Sequence, residues 1–245
     1  MKVKFDYHVH SIYSKNKHGK STIEENVQKA IELGLEEIAI TDHGPKHILY
    51  GIKNKNIVKA KNEVIQLRKK YPNIKILYGI EANILNFQGD IDINEEDLEI
   101  YDIVLCGYHL GVLYSSFKDF WGFIFLNYFS KFSKKLKEKQ IERNTNAVVN
   151  ALNKNKIYIL THPGDKILVD IDKIAFAAQE NNTILEINSH HNHLNAEEIK
   201  IASKYDVKFA IGSDSHIKDN IGSFENALRE VKKAGIDIRR IVNIA

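Results

Sequence analysis

The feature that most constrains the fold is an alternation of short apolar segments with longer segments of helical periodicity. Seven apolar segments predict strands: Lys2–Ser11, Glu37–Ile40, Lys75–Ile80, Ile103–Cys106, Ile157–Leu160, Thr183–Ile187 and Val207–Ile211. Helical patterns follow most of them: a helix capped by Ser21 or Thr22 and ended by Gly34, then Asn54–Lys70, Lys139–Asn153, Asp170–Glu180, Ala196–Lys204 and Ile221–Ala234. Strands that alternate with helices form parallel sheets, and continuous hydrophobic strands indicate a sheet covered on both faces. We therefore predict an α/β fold, in which closure into a barrel hides both sheet edges and an open doubly wound sheet is the alternative.

The size and the charge of the chain limit its organisation. A chain of 245 residues suits one α/β barrel or two small domains, and because no linker or repeat divides it we predict one domain over residues 1–245. The net charge of +3 is too small to demand a nucleic-acid partner.

The cysteine content and the hydrophobic segments suggest where the protein works. The single cysteine, Cys106, lies in an apolar run and is expected to be buried filler, which suits a reducing compartment. The N-terminus has no apolar signal core, and the segment Phe120–Phe129 is far shorter than the ~20 residues that span a bilayer. We expect a cytoplasmic protein without a membrane span.

Residues that bind metals recur at the carboxyl ends of the predicted strands. His8 and His10 are two apart in the first strand, so their rings share one face. The other strand ends carry His43, Glu81, His109, His162, Asp214 and His216, while His18 lies in the loop after the first strand. Ordinary turn preferences do not favour histidine at so many of these positions. Imidazoles with two carboxylates suit Zn, Mn or Fe, and the number of ligands indicates two or three divalent ions that share a carboxylate.

These strand ends carry motifs in a recognisable order. In chain order these are Asp-Tyr-His-Val-His-Ser, Ile-Thr-Asp-His-Gly-Pro, Gly-Ile-Glu-Ala-Asn, Gly-Tyr-His, Thr-His-Pro-Gly, Glu-Ile-Asn and Gly-Ser-Asp-Ser-His, which lie between residues 6 and 216. The chain resembles the PHP (polymerase and histidinol phosphatase) superfamily of metal-dependent phosphoesterases, and within it the small stand-alone phosphatases. The resemblance implies a distorted (β/α)7 TIM-like barrel with a trinuclear metal site at the C-terminal ends of the strands.

The resemblance also implies roles for individual residues. One ion would bind His8, His10, Glu81 and Asp214, a second would share Glu81 and add His109 and His162, and a third would bind His18, His43 and His216. His47 is an alternative to His18, because the loop that carries His18 is longer than in the family pattern. Glu81, Asp214 and Asp42 are the catalytic candidates, with Asp42 orienting a ligand or donating a proton rather than binding metal.

Candidates for substrate contacts are less specific. Asn188, at the end of the sixth strand, is a candidate to hold a water or a substrate oxygen, and His190 and Arg143 are further candidates. His190, His191 and His193 match no motif, so a solvated polar loop is favoured over another metal or phosphate contact.

The segment at about 113–140 is predicted to be an insertion rich in aromatic and lysine side chains. A lid over the site or a homo-oligomer contact would bury its rings. A membrane-surface helix is the weaker alternative.

The predicted function is hydrolysis of small phosphomonoesters, such as histidinol phosphate, by a water whose pKa the ions lower. The alternative is a phosphodiesterase or exonuclease that uses the same metal cluster on nucleic acid, which would require a basic groove with stacking platforms. A non-catalytic metal-binding module is less favoured, because the expected ligand positions are filled.

Overall fold

The computed structural model describes residues 1–244 and contains seven parallel strands that pair in chain order. The strands are β1 Phe5–Val9, β2 Glu37–Ile40, β3 Lys75–Asn83, β4 Ile103–Gly107, β5 Ile159–Leu160, β6 Ile184–Asn188 and β7 Phe209–Gly212. The predicted strands are all present, although β1 and β5 are shorter than predicted and β3 extends to include Glu81.

The sheet closes on itself by joining β1 to β7. At the C-terminal ends of the strands, the amide of His10 donates to the Ser215 carbonyl at 2.8 Å and the amide of Ser215 donates to the His8 carbonyl at 3.1 Å. At the opposite end, Asn243 fills the gap, with its side-chain amide donating to the carbonyls of Phe5 and Ile211 at 2.8 and 2.7 Å. The result is a nearly closed barrel rather than an open doubly wound sheet.

Helices cover the outside of the barrel. They are α1 Ile23–Glu32, α2 Asn54–Lys70, α3 Phe117–Trp121, α4 Asn127–Phe129, α5 Lys134–Lys154, α6 Ile171–Glu180, α7 Ala196–Ala202 and α8 Glu225–Ala234. Thr22 caps α1 in a reciprocal capping box with Glu25. α5 begins five residues before its predicted start, because Ser133 accepts the amide hydrogen of Leu136 and caps it there.

The core has two compartments. The larger one lies between strands and helices and contains Cys106, which is fully buried. The smaller one fills the barrel interior with side chains from all seven strands, namely Tyr7, Ala39, Leu77, Ile103, Leu105, Ile159, Ile184 and Ala210. We call this interior layer the apolar floor. No helix of residues 1–244 is long and apolar enough to cross a membrane.

Candidate metal centre

The histidines and carboxylates at the C-terminal ends of the strands form a polar cluster. It lies directly above the apolar floor, because side chains alternate along each strand. Two residues beyond Ile184 of the floor, β6 presents Glu186 to the same interior. The same step from Ala210 reaches Gly212 and then Asp214. The carboxyl ends of the strands therefore direct their functional side chains into one space.

β1 reaches this space only because it contains a bulge. Asp6 pairs with Ile38 and Val9 pairs with Ile40, so three steps along β1 match two along β2. The extra residue changes the phase of the alternation, which allows Tyr7 to join the floor while His8 points into the cluster above it. The hydroxyl of Thr41 lies at the bulge, where it accepts from the Val9 amide at 3.2 Å and lies 3.3 Å from the Tyr7 carbonyl.

Glu81 is fully buried at the centre of the cluster, and its two oxygens face different imidazoles. Oε2 lies 2.9 Å from His43 Nδ1, 3.3 Å from His8 Nε2 and 3.7 Å from His10 Nε2. This oxygen therefore belongs to the side of the cluster that β1 and β2 supply.

The other oxygen of Glu81 faces β4 and β5. Oε1 lies 3.0 Å from His162 Nε2 and 3.2 Å from His109 Nε2, and it accepts the Thr161 hydroxyl at 2.9 Å. One carboxylate thus connects two groups of nitrogen ligands.

Asp214 completes the group around β1. Its Oδ1 lies 3.2 Å from His10 Nε2 and 3.5 Å from His8 Nε2, while its Oδ2 lies 3.2 Å from His191 Nε2. His8, His10, Glu81 and Asp214 therefore converge on one point.

A third group of imidazoles lies around His43 and His216. His10, His43 and His216 each offer a nitrogen within 4.8 Å of the others. The ring centroid of His18 lies 4.1 Å from that of His216, and the His18 ring stacks on the Tyr50 ring with centroids 3.8 Å apart.

His47 lies on the far side of His43, with ring centroids 5.0 Å apart. Its Nδ1 accepts the Tyr50 amide at 3.1 Å, which leaves only Nε2 for another partner. Both His18 and His47 border this third group, and His18 is the nearer to His216.

Glu186 is a functional residue that the sequence analysis missed. Its Oε1 lies 2.7 Å from His8 Nδ1, and its Oε2 accepts from the His162 amide and the Asn188 side chain, each at 2.9 Å. A Cβ at Gly212 would lie 2.0 Å from Glu186 Oε1, so glycine makes room for this carboxylate. A glutamate two residues before Asn188 in an otherwise apolar strand was the signal available in the sequence.

Asp42 and Asn188 each hold the cluster's surroundings in place. Asp42 accepts both the amide and the hydroxyl of Ser11, at 2.8 and 2.6 Å, and also the Ser14 hydroxyl. Asn188 donates to Glu186 and Asp214, and its oxygen accepts the amides of the turn that follows β6. Asp42 therefore orders the loop after β1, and the side chain of Asn188 is occupied by protein partners.

Arg143 and His190 have different positions. The Arg143 guanidinium stacks over Phe87 at 4.5 Å and does not line the pocket above the cluster. His190 does line that pocket, as does His191, whose Nδ1 lies 3.4 Å from Asp165. The loop after β6 is thus partly a wall of the site rather than only a solvated loop.

Burial keeps most of the imidazoles neutral. It lowers the pKa of His10 well below the usual value, with the charges of His216 and His43 acting in the same direction. It also lowers the pKa of His109 and of His216 to about 4. His8 and His162 differ, because their carboxylate neighbours, first among them Glu81, outweigh burial and raise the pKa of each ring, that of His8 well above the usual value. Neutral imidazoles present the lone pairs that metal ions require.

The donor atoms in the cluster fit divalent cations. Several buried polar atoms have no hydrogen-bond partner, namely His8 Nε2, His10 Nδ1, His43 Nδ1, Glu81 Oε2, both ring nitrogens of His109 and His216 Nε2. Such atoms are rare in proteins, because an unpaired buried polar group costs about 1–3 kcal/mol. Most of them lie close to one another without aligned hydrogen bonds, so they converge on common points in the manner of ligands.

The cluster forms the base of a pocket of about 450 Å³. Apart from the histidines, its walls include Leu49, Tyr50, Leu110, Asp165 and Lys166. This volume lies in the range of small-molecule sites. A larger groove of about 980 Å³ between the chain near Asp90 and the end of α5 contains none of the clustered histidines.

Comparisons with known proteins agree with this geometry. The family model described as PHP domain matches residues 6–190. A probable phosphatase of Thermoanaerobacter sp. (strain X514) is 34% identical over 257 residues, covering 99% of this chain and 91% of that protein. A probable phosphatase of Shewanella halifaxensis (strain HAW-EB4) is 33% identical, covering 99% of this chain and 89% of that protein.

Two solved structures share the fold. Histidinol phosphate phosphatase from Lactococcus lactis subsp. lactis Il1403, complexed with zinc, L-histidinol and phosphate, has a TM-score of 0.63 at 18% identity and covers 97% of this chain and 95% of its own. The putative histidinol phosphatase of Listeria monocytogenes has a TM-score of 0.66 at 18% identity, covering 89% of this chain and 97% of its own. The predicted (β/α)7 barrel is confirmed.

Proposed function

The chain belongs to the PHP domain family, and on that premise we propose that it is a metal-dependent phosphatase that hydrolyses small phosphomonoesters at the cluster around Glu81. The observation that carries the proposal is the position of Glu81. Each of its oxygens lies within 3.7 Å of a separate set of imidazole nitrogens, at the base of a pocket large enough for a small ligand.

We assign three ion positions to the cluster. His8, His10, Glu81 and Asp214 would hold the first, and Glu81, His109 and His162 the second. The third would use His43 and His216 together with His18, whose ring centroid lies 4.1 Å from that of His216. Zn, Mn and Fe all suit these ligands.

Divalent ions held by these residues would supply positive charge for the phosphoryl transition state and would lower the pKa of a water molecule. The side chains around them hold the geometry. Glu186 fixes His8 through Nδ1, so that Nε2 faces Glu81 and Asp214. Thr161 donates to Glu81 and thereby fixes the plane of its carboxylate.

The pocket wall supplies the contacts expected for a phosphate ester. Among residues 1–244, Lys166 has the one cationic side chain, other than the histidines, that lines the pocket. We assign it to the binding of the phosphate oxygens, and Asp165 to holding its ammonium group, which lies 2.9 Å away. Leu49 and Leu110 would contact the organic part of the ester.

The test combines metal analysis with a substrate panel. We expect purified protein to carry more than one divalent ion per chain and to hydrolyse p-nitrophenyl phosphate or histidinol phosphate faster than single-stranded DNA. Glu81→Gln should lose bound metal and at least about 100-fold in kcat/KM, since it removes a ligand shared by two positions.

Glu37→Gln is the matched control, because this glutamate starts β2 at the opposite end of the barrel and pairs with Lys75. A Glu81→Gln protein that keeps its metal and activity would overturn the shared-ligand assignment. Preference for DNA over every monoester would instead favour the phosphodiesterase alternative.

A further inference from the structure

The segment between β4 and α5 presents an exposed row of aromatic rings. The exposed fractions are 75% for Phe117, 43% for Trp121, 57% for Tyr128 and 74% for Phe132. Rings in contact form two groups along the segment, one around Trp121, which stacks on Phe125 at 4.4 Å, and one around Tyr128, which lies 5.8 Å from Phe132. Side chains of this size are seldom left in water as a contiguous set.

The spacing of these rings is close to that of one side of a helix. Residues 117, 121, 125, 128 and 132 follow at intervals of four, four, three and four, which overshoots four turns of a regular α-helix. The π-helical turn Gly122–Leu126 holds more residues per turn and offsets part of the excess, whereas the 3₁₀ turn Ser130–Phe132 holds fewer. We call this row, Phe117, Trp121, Phe125, Tyr128 and Phe132, the aromatic ridge.

The opposite side of the segment is attached to the barrel. Phe123 stacks on Phe87 at 4.1 Å and is almost fully buried. Asn127 donates to Asn144 of α5 at 3.2 Å, and Gln140 of α5 donates to the Gly122 carbonyl at 3.1 Å. The segment is thus held from behind, and its ridge faces outward.

The ridge does not cover the candidate metal centre. The residues that line the pocket above Glu81 include Leu110 and Gly111 but none from 113–140. Its exposed rings are therefore accounted for neither by packing within residues 1–244 nor by closure over the pocket.

Charge distinguishes between the possible occupants. Residues 113–140 contain six lysines and two carboxylates, a net charge of +4, whereas the whole chain carries +3. One of the two carboxylates, Asp119, is buried, where it accepts from the Phe87 amide and the Ser116 hydroxyl. A symmetric contact with a second copy would bring two such basic surfaces together, so the charge opposes a dimer.

We propose that the aromatic ridge and its lysines bind the surface of a bilayer that contains anionic phospholipids. Helices that lie in a membrane interface combine an apolar face carrying tryptophan and phenylalanine with lysines along the polar face. Anionic headgroups attract basic side chains, and aromatic rings settle at the level of the headgroups. The enzyme would rest on the membrane without crossing it.

Trp121 is the only tryptophan in the sequence, so its fluorescence reports on the ridge directly. We expect its emission to shift to the blue, and the protein to co-sediment, with phosphatidylglycerol-containing vesicles but not with pure phosphatidylcholine vesicles. Binding should weaken in 0.5 M NaCl, at which about 4–5 Å of screening length remains. Absence of both signals would overturn the proposal.

Two paired variants separate the contributions. Phe117→Ser/Phe132→Ser and Lys134→Glu/Lys135→Glu should each lower the vesicle partition coefficient about tenfold or more. Their controls are Phe176→Ser, an aromatic side chain that is 52% exposed on α6, and Lys55→Glu/Lys59→Glu on α2. Phosphatase activity on a soluble ester should be unchanged in all four proteins, which shows that they are folded.

Two further outcomes would contradict the proposal. If the Phe117→Ser/Phe132→Ser protein is monomeric while wild type sediments as a dimer without vesicles, the ridge is a contact between copies. If single-stranded DNA shifts the Trp121 emission and vesicles do not, the ridge binds nucleic acid.

Discussion

Replacement of Glu186 by glutamine tests how the cluster is held in place. The carboxylate accepts three hydrogen bonds: one oxygen faces His8 Nδ1 at 2.7 Å, and the other accepts the His162 amide and the Asn188 side chain at 2.9 Å each. Glutamine has the same shape but only one acceptor oxygen, and its NH2 group is a donor. Glutamine can therefore accept hydrogen bonds on one side of the original carboxylate but not on both.

The orientation of the new side chain follows from counting donors. If its NH2 group faced the His162 amide and the Asn188 side chain, both of these donors would face another donor instead of an acceptor. Each donor left without a partner would cost about 1–3 kcal/mol. The oxygen should therefore face that pair, and the NH2 should face His8 Nδ1. This Nδ1 must then accept, so the proton moves to Nε2, the nitrogen that faces Glu81 and Asp214 at 3.3 and 3.5 Å.

A protonated Nε2 cannot bind a cation, so His8 has to change tautomer or rotate before it can act as a ligand. Loss of such a supporting contact lowers metal affinity or activity about 10- to 100-fold, equivalent to about 1.4–2.8 kcal/mol. We expect that decrease for Glu186→Gln in Zn²⁺ or Mn²⁺ titration calorimetry and in kcat/KM. The far-ultraviolet circular dichroism should remain that of wild type.

Glu180→Gln is the matched control, since it removes one carboxylate charge from the exposed end of α6. It should bind metal as wild type does. If Glu186→Gln also stays within about twofold of wild type in affinity and turnover, below the range found for supporting contacts, then Glu186 does not determine the orientation of His8 and the reasoning fails.

Three other predictions concern the barrel. Gly107→Ala would place a Cβ 2.3 Å from Thr161 Oγ1, so we expect loss of bound metal by elemental analysis and loss of activity, and a Gly107→Ala protein with full metal would contradict the packing. Asn243→Ala removes one hydrogen bond to β1 and two to β7 and should lower the free energy of unfolding by about 2–4 kcal/mol in urea; a change below about 1 kcal/mol would mean that the gap closes without it. Burial raises the pKa of Asp6 to about 6, so the folded chain binds this proton more tightly than the unfolded chain and stability increases as pH falls from about 6 to about 4. Urea titrations across that interval should show wild type gaining about 2 kcal/mol relative to Asp6→Asn, and parallel pH profiles of the two proteins would refute the assignment.

Much of the fold could be predicted because its signals are local. Each strand is a short apolar run, and the polar residue after it lies at the carboxyl edge in any parallel α/β sheet. That is why the positions of Glu81, His162 and Asp214 could be inferred before their distances were known. The closure between β1 and β7 has no local signal in the sequence, since the residues that join them are more than 200 positions apart.

What the sequence could not reveal depends on contacts rather than on patterns. Strict alternation along β1 would place Tyr7 and His8 on opposite faces, and only pairing with β2 shows that a bulge brings both inside. The Glu-Ile-Asn motif does not by itself assign a role to Glu186, because that role is defined by partners on β1 and just after β5. The aromatic segment is recognisable as unusual from its composition, but periodicity alone does not identify its π-helical turn.

The bulge in β1 has a consequence for how this barrel can diverge. The floor and the cluster are both interior because β1 holds one additional residue between Asp6 and Val9, opposite Thr41. Without it, strict alternation would leave only one of Tyr7 and His8 inside, so the barrel would lose either a side chain of the floor or a candidate ligand. Length changes in β1 should therefore be much rarer among descendants of this gene than substitutions at the same positions, whereas the connecting loops are free to vary in both.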